Sequence, residues 1–316
     1  MAQNPPNEKI NYKDLVFLNC VFKKYLQIKN CSFKTLEFKE TCKFEAVENV
    51  ENKDNKETKF FKVEAKSFAI LPTCNETQGI CEQKIEFSAC SFNKFQINQY
   101  RFEKGFSLTG IKYIKAKIDI QNTHFEDKVS LSKLELDSII CEKNIFKKEA
   151  KISLRCNEAN FKKCSFYENA FFDHSIFKDN VYFNNSKFNS FSSFKECEFE
   201  KTACYYGVSF DKVPNFPQVA FKGVLNVTNT NLNFDFNILE DRIKSVCEEF
   251  NKNKSQENKK SLVNFAHDFR DSFRSFKEAL IKQNNLLDAQ KYHKFELYCK
   301  EIELKNDDEK WIIINN

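Results

Sequence analysis

The chain of 316 residues spends 36 of them on Phe, against one Trp, one Met, five Gly and five Pro. That usage excludes a collagen-like or glycine-rich repeat and a Pro/Gly linker protein, while 41% apolar content is enough for a core. The formal charge of +5 is spread thinly: residues 236–316 hold 15 basic and 15 acidic side chains, so the excess lies before them, in no cluster dense enough to mark a nucleic-acid groove.

Residues 1–14 form a polar segment with Pro5-Pro6 and no apolar stretch of the secretory kind. No window nears the roughly 18 successive apolar residues of a membrane helix. Thirteen cysteines without an export signal are expected to stay reduced, which implies a cytoplasmic chain, with a membrane-peripheral one as the alternative. A periodic pattern starts near residue 15: Cys20–Phe22, Cys31–Phe33 and Cys42–Phe44 recur every eleven residues, with Phe17, Ile28 and Phe38 near the half-steps. Residues 48–84 break it, first with a charged run from Glu48 to Lys59, then with Thr73-Cys74-Asn75 and Gly79. This stretch reads as an irregular, protruding insertion and a candidate contact surface. The pattern returns at Ile85–Phe87 and Cys90–Phe92. It degenerates over about 104–150, where Ile120, Leu131 and Leu136 take the place of Phe.

From Phe161 it becomes regular. Phe161, Phe166, Phe172, Phe177, Phe183, Phe188, Phe194 and Phe199 follow at steps of five and six, and Phe210, Phe216 and Phe221 continue the series. Two residues before most of them stands a small or β-branched residue, as in Cys164–Phe166, Ser175–Phe177 and Val181–Phe183. Spacing of two places both on one face of a short extended segment, the small one leaving room for the ring. Polar residues between the pairs suit turns. A short fixed period of this kind is the signature of a solenoid whose units bury their apolar sides only by stacking. The eight Phe from 161 to 199 and the Cys20, Cys31, Cys42 series are the expected inward ladder.

This pattern resembles the pentapeptide-repeat family in its Phe-centred form, over roughly residues 15–47 and 85–235. The resemblance implies an all-β right-handed quadrilateral β-helix spanning residues 15–235. With about 22 residues per coil and the usual strand spacing, eight or nine coils would make a rod of about 40 Å. Some members of that family imitate B-form DNA and act on type II topoisomerases. Such mimicry needs an acidic surface, and the repeat region here is net positive.

After Phe236 the period becomes helical. Ile238 to Phe250 reads as a short helix and Asn251 to Lys260 as a polar linker. Leu262, Ala266, Phe269, Phe273, Phe276 and Leu280 then fall at heptad steps, with Ser261 as N-cap. Gln283-Asn284-Asn285 is a break, and Tyr292, Phe295, Cys299 and Ile302 stripe a second helix from about 286 to 304. A hairpin of this kind over 261–304 has three uses: to cap the open end of a solenoid, to pair with a second copy as a homodimer, or to receive a partner helix. Phe269, Phe273, Phe276, Leu280, Tyr292 and Phe295 are the expected interface. The order Phe273-Arg274 and Phe276-Lys277, followed by Tyr292, His293 and Glu296, is similar to a tail found after pentapeptide repeats in some bacterial proteins. In such proteins a membrane segment can follow, whereas Trp311-Ile312-Ile313-Ile314 is too short to span.

No catalytic, cofactor or metal residues stand out. Of the four histidines at 124, 174, 267 and 293, His124 and His174 have no Cys or carboxylate at metal-ligand spacing; no CxxC occurs, and no phosphate-loop or nucleophile-elbow motif is present. The expected protein is a non-catalytic interaction scaffold without cofactor. Its expected partner is a protein, or a second copy, met through the C-terminal helices, with no specific nucleic acid. A peripheral subunit of a membrane-associated complex and a topoisomerase modulator are the alternatives.

Overall fold

The structure, a computed structural model, describes residues 11–18, 20–23, 26–39, 42–44, 57–71, 78–111, 115–233, 236–252 and 254–306. Most of the polar N-terminal segment, residues 48–56 and 72–77 of the expected insertion (with Thr73-Cys74-Asn75), and Trp311–Asn316 lie outside them. About nine turns of parallel β-solenoid precede three helices. The chain divides into two compact units, Met1–Asn160 and Phe161–Asn316.

In the second unit a coil takes 22 residues, and the first two full coils have four two-residue strands each; in the third, an isolated bridge at Asn215 stands in for one of them. Ser165–Phe166, Ala170–Phe171, Ile176–Phe177 and Val181–Tyr182 make one circuit, and Lys187–Phe188 begins the next. The ladder is parallel and in strict register: Phe166 opposes Phe188, Phe188 opposes Phe210, and Phe210 opposes Leu232. Identical positions therefore stack, and the rings form four columns. Centroids lie 5.3 Å apart for Phe161–Phe183, 4.8 Å for Phe166–Phe188, 5.1 Å for Phe172–Phe194 and 5.2 Å for Phe177–Phe199. Neighbouring columns meet edge to face, as in Phe172–Phe183 at 89°. Stacking within a column and edge contact between columns suit the ring quadrupole, and all eight Phe from 161 to 199 are buried.

The alternation of five and six has a backbone cause. The carbonyls of Phe172, Phe183, Phe194 and Tyr205 each accept a bond from the N–H three residues on. The third residue of each turn is left-handed: His174, Asn185, Glu196 and Gly207 have φ of 60°, 58°, 54° and 67°. This is a type II turn. It closes each five-residue step, and the six-residue step turns without a left-handed residue. One such residue recurs every eleven positions from Lys163 to Asn229, and only Gly207 among them is glycine. A side chain in that conformation costs about 1–2 kcal/mol, which the paired strands on either side offset.

The first unit uses longer strands in three columns. One joins Asn11–Leu18, Ser32–Lys39, Glu64–Leu71 and Ser91–Asn98, with the pairing of the last three broken at Lys34, Lys66 and Asn93. A second joins Gln27–Lys29, Glu57–Phe61, Lys84–Ser88 and Phe106–Thr109. A third joins Val21–Phe22, Lys43–Phe44, Gly79–Cys81 and Tyr100–Phe102. Residues 57–71 and 78–84 are thus not a protruding insertion. Phe60, Phe68 and Ile70 are fully buried, and Phe60 stacks on Phe87 at 4.5 Å. Here the inward residues follow the two-residue alternation of a long strand, so an eleven-residue period does not register them. The same holds over 104–150, where Val129–Glu142 is a 14-residue strand burying Val129, Leu131, Leu134, Leu136, Ile139 and Cys141.

The cysteine series is also corrected. Phe22 opposes Phe44, so Cys20 and Cys42 share one column, while the carbonyl of Cys31 accepts from Glu64 on a different side. Cys42 is buried, whereas Cys20 and Cys31 are half-buried and donate to the Leu18 and Lys29 carbonyls at 3.4 and 3.2 Å. They are not one inward ladder.

Candidate functional site: the helical end of the second unit

Three helices follow the last strands: α1 (Leu239–Asn251), α2 (Leu262–Lys282) and α3 (Leu286–Lys305). Local chemistry sets their limits. The Ser261 hydroxyl accepts from the Asn264 N–H and caps α2. Asn284 turns left-handed with φ 60°, and the Asn285 side chain accepts from the Asp288 N–H to start α3.

The heptad stripe is used inside the chain. Phe269, Phe273, Phe276 and Leu280 on α2, with Tyr292 and Phe295 on α3, are all buried. Phe273 meets Phe295 at 5.0 Å and Phe276 meets Tyr292 at 5.4 Å, closing the hairpin. Phe276 also reaches Phe216 of the solenoid at 5.5 Å. The six residues expected to face a partner are therefore the underside and interior of a cap. The reason is polar as well as apolar. A solenoid's last coil presents backbone groups with no further strand to pair them. The Phe216 N–H donates to the Ser272 hydroxyl at 3.0 Å, and the Gln283 amide donates to the Leu225 carbonyl at 2.8 Å. Gln283 in turn accepts from Thr228 at 2.7 Å. Lys212 pairs with Glu249 of α1 at 2.7 Å.

Ion pairs lock the hairpin from the side. Glu296 on α3, 9% exposed, accepts from Arg274 at 3.0 Å and Lys277 at 2.7 Å on α2, and lies 3.3 Å from His293. Burial pushes its carboxyl upward, but the bonds from Lys277, Arg274 and His293 outweigh this and hold it below its ordinary value. Glu303 pairs likewise with Arg270 at 2.5 Å and Lys300 at 2.9 Å, and Asp268 with Lys260. The Arg274, Lys277, His293 and Glu296 set singled out in the sequence is thus one cluster with an internal job.

What remains outward is apolar at the hairpin tip. Ile281 at the end of α2 is 48% exposed, and Leu286 and Leu287 at the start of α3 are 56% and 83% exposed. Leu297 lies exposed further along α3. These residues fell outside the heptad stripe, and their signal in the sequence was only an adjacent Leu pair straight after a helix break.

Among the described residues, no three His, Cys, Asp or Glu side chains group as a metal site, and no helix is long and apolar enough to cross a membrane. The chain matches no family model, no curated protein and no solved structure.

Proposed function

We propose that the chain is a non-catalytic interaction scaffold of pentapeptide-repeat type, with the helical cap as its contact element. The eleven-residue grammar, its four ring columns and its recurrent type II turn support the family reading. The contact is made by the outer side of the cap, through a protein partner or a second copy. The observation that carries this is the apolar tip, Ile281, Leu286 and Leu287, held outward by a hairpin whose own stripe is already filled. Apolar side chains on a rigid support lose little entropy on docking.

The test is sedimentation of the full chain over a wide concentration range, with partner capture in parallel, for the parent and for Leu286→Asp with Leu287→Asp. The expected result is association or a captured protein with the parent, lost in the double variant while melting temperature and helical signal stay unchanged. A parent that stays monomeric, with the same capture pattern in both proteins, would remove the tip as the contact.

A further inference from the structure

The first two coils of the ladder set one free cysteine beside another. Val21 opposes Lys43 and Phe22 opposes Phe44, so Cys20 and Cys42 share the neighbouring rung. The Lys43 N–H donates to the Cys20 carbonyl at 2.9 Å and keeps that rung in register. Neighbouring strands lie about 4.8 Å apart, inside the range of roughly 4.4–6.8 Å that a disulfide needs between its Cα atoms. Each cysteine stands two residues before a ring of one column, with Phe22 stacked on Phe44 at 5.0 Å, so both side chains leave their strands on the same side.

The sulfurs converge on the same coil. Cys20 Sγ donates to the Leu18 carbonyl at 3.4 Å, and Cys42 Sγ reaches across to the Phe17 carbonyl at 3.3 Å. Burial first, and then the Cys20 thiol beside it, push the Cys42 thiol upward. Among the described residues no other rung sets Cys beside Cys: Cys31 and Cys90 both lie next to Val63, Cys81 next to Phe44 and Phe102, and Cys141 next to Ile120. Access to the two thiols differs, since Cys20 is half-buried and Cys42 is buried. Each strand of the first coil is paired on one side only among the described residues. That coil can therefore give the few tenths of an ångström by which the two Cβ atoms must close.

We infer that Cys20 and Cys42 are a redox pair, oxidised to a disulfide by small disulfides of the glutathione class. The half-buried Cys20, as thiolate, attacks one sulfur of the small disulfide. The S–S bond breaks and one small thiol leaves with a proton from solvent. Cys42 then gives its proton to solvent and attacks Cys20 Sγ, and the second small thiol leaves in the same way. Two cysteine thiols are oxidised, and one small disulfide is reduced to two thiols. The link fastens the open first coil to the second and removes loop freedom from the unfolded chain. The site belongs to the first unit and does not depend on the scaffold reading.

The full chain, incubated with oxidised glutathione in native buffer, is alkylated, digested and mapped by mass. The expected product joins the Cys20 and Cys42 peptides, lighter by two hydrogens and with glutathione on neither, and dithiothreitol restores both thiols. Cys42→Ser should trap glutathione on Cys20, whereas Cys31→Ser should leave the link intact. In urea, where the rungs are lost, linkage should spread over other cysteines. Glutathione retained on Cys20 of the folded parent, beside a free Cys42, would overturn the pair. So would a parent left unmodified, or native linkage spread over other cysteines as in urea. If Cys42→Ser does not fold, the map of the parent decides alone.

Discussion

Ser186 does two things with one hydroxyl. It donates to the Phe161 carbonyl at 2.6 Å and accepts from the Cys164 N–H at 2.9 Å. Cys197 donates likewise to the Phe172 carbonyl, Thr230 to Tyr205 and Cys42 to Phe17, each across 25 residues. Asn144 repeats the double role in the first unit, receiving from Thr123 and donating to Ile120. At Ser186, Cys197, Thr230, Cys42 and Asn144 the residue two before the inward side chain is therefore more than a spacer: it satisfies a backbone group of the adjacent coil at the turn. The sequence shows that the residue is small, but the partner becomes visible only when coils are stacked. Ser186→Ala leaves a buried carbonyl and N–H without that partner and should cost about 1–3 kcal/mol in urea unfolding, with Ser186→Cys milder. A loss under about 0.5 kcal/mol for Ala would show that these groups find other partners.

At the scale of an element, the hairpin is held by a buried stripe and by carboxylates shared among cations. Glu296 is the centre of the larger cluster, and its carboxyl is held below the ordinary 4.5. A lowered folded value means that its contribution is present above about that pH and is lost as pH falls through the lowered value. The helical signal should therefore weaken on acidification below the ordinary carboxylate range, ahead of the β signal. In Glu296→Gln the hairpin should be weaker at neutral pH and its acid transition flatter. The same acid profile in both proteins would mean that Glu296 does not hold the hairpin. Heptad steps from Leu262 to Leu280 and the break at Gln283-Asn284-Asn285 made two helices readable from sequence. Which surface their stripe covers was not readable, because capping, pairing and partner binding all ask for the same stripe.

Across the whole molecule, both units rest on the same inward chemistry, and that chemistry includes buried acids. Burial pushes the thiols of Cys81, Cys156 and Cys197 from 9.0 up to about 12 and that of Cys90 to about 11, and it raises the Tyr100 and Tyr205 hydroxyls. With folded values above unfolded ones, the stability is fully present below about 9 and is lost as pH rises toward 12. Urea midpoints should be level near neutrality and fall steadily above pH 9. A midpoint unchanged up to about pH 11 would show that these thiols ionise without unfolding the coils.

The eleven-residue period by itself determined the solenoid and the inward place of Phe161 through Phe199, because stacked identical positions require a repeat in the sequence; that two such units make one 22-residue coil came from the family resemblance and is set by the strand register. The change to heptad steps likewise determined the helical tail. Tertiary structure alone decided that residues 57–71 and 78–84 join the ladder, since coils of unequal length keep register in space but not in number. It also decided that the helical stripe closes the last coil, leaving Ile281, Leu286 and Leu287 outward. An open ladder end and an amphipathic helix satisfy each other through contacts such as Phe216 with Ser272 and Leu225 with Gln283, which link residues more than fifty positions apart and leave no period to read.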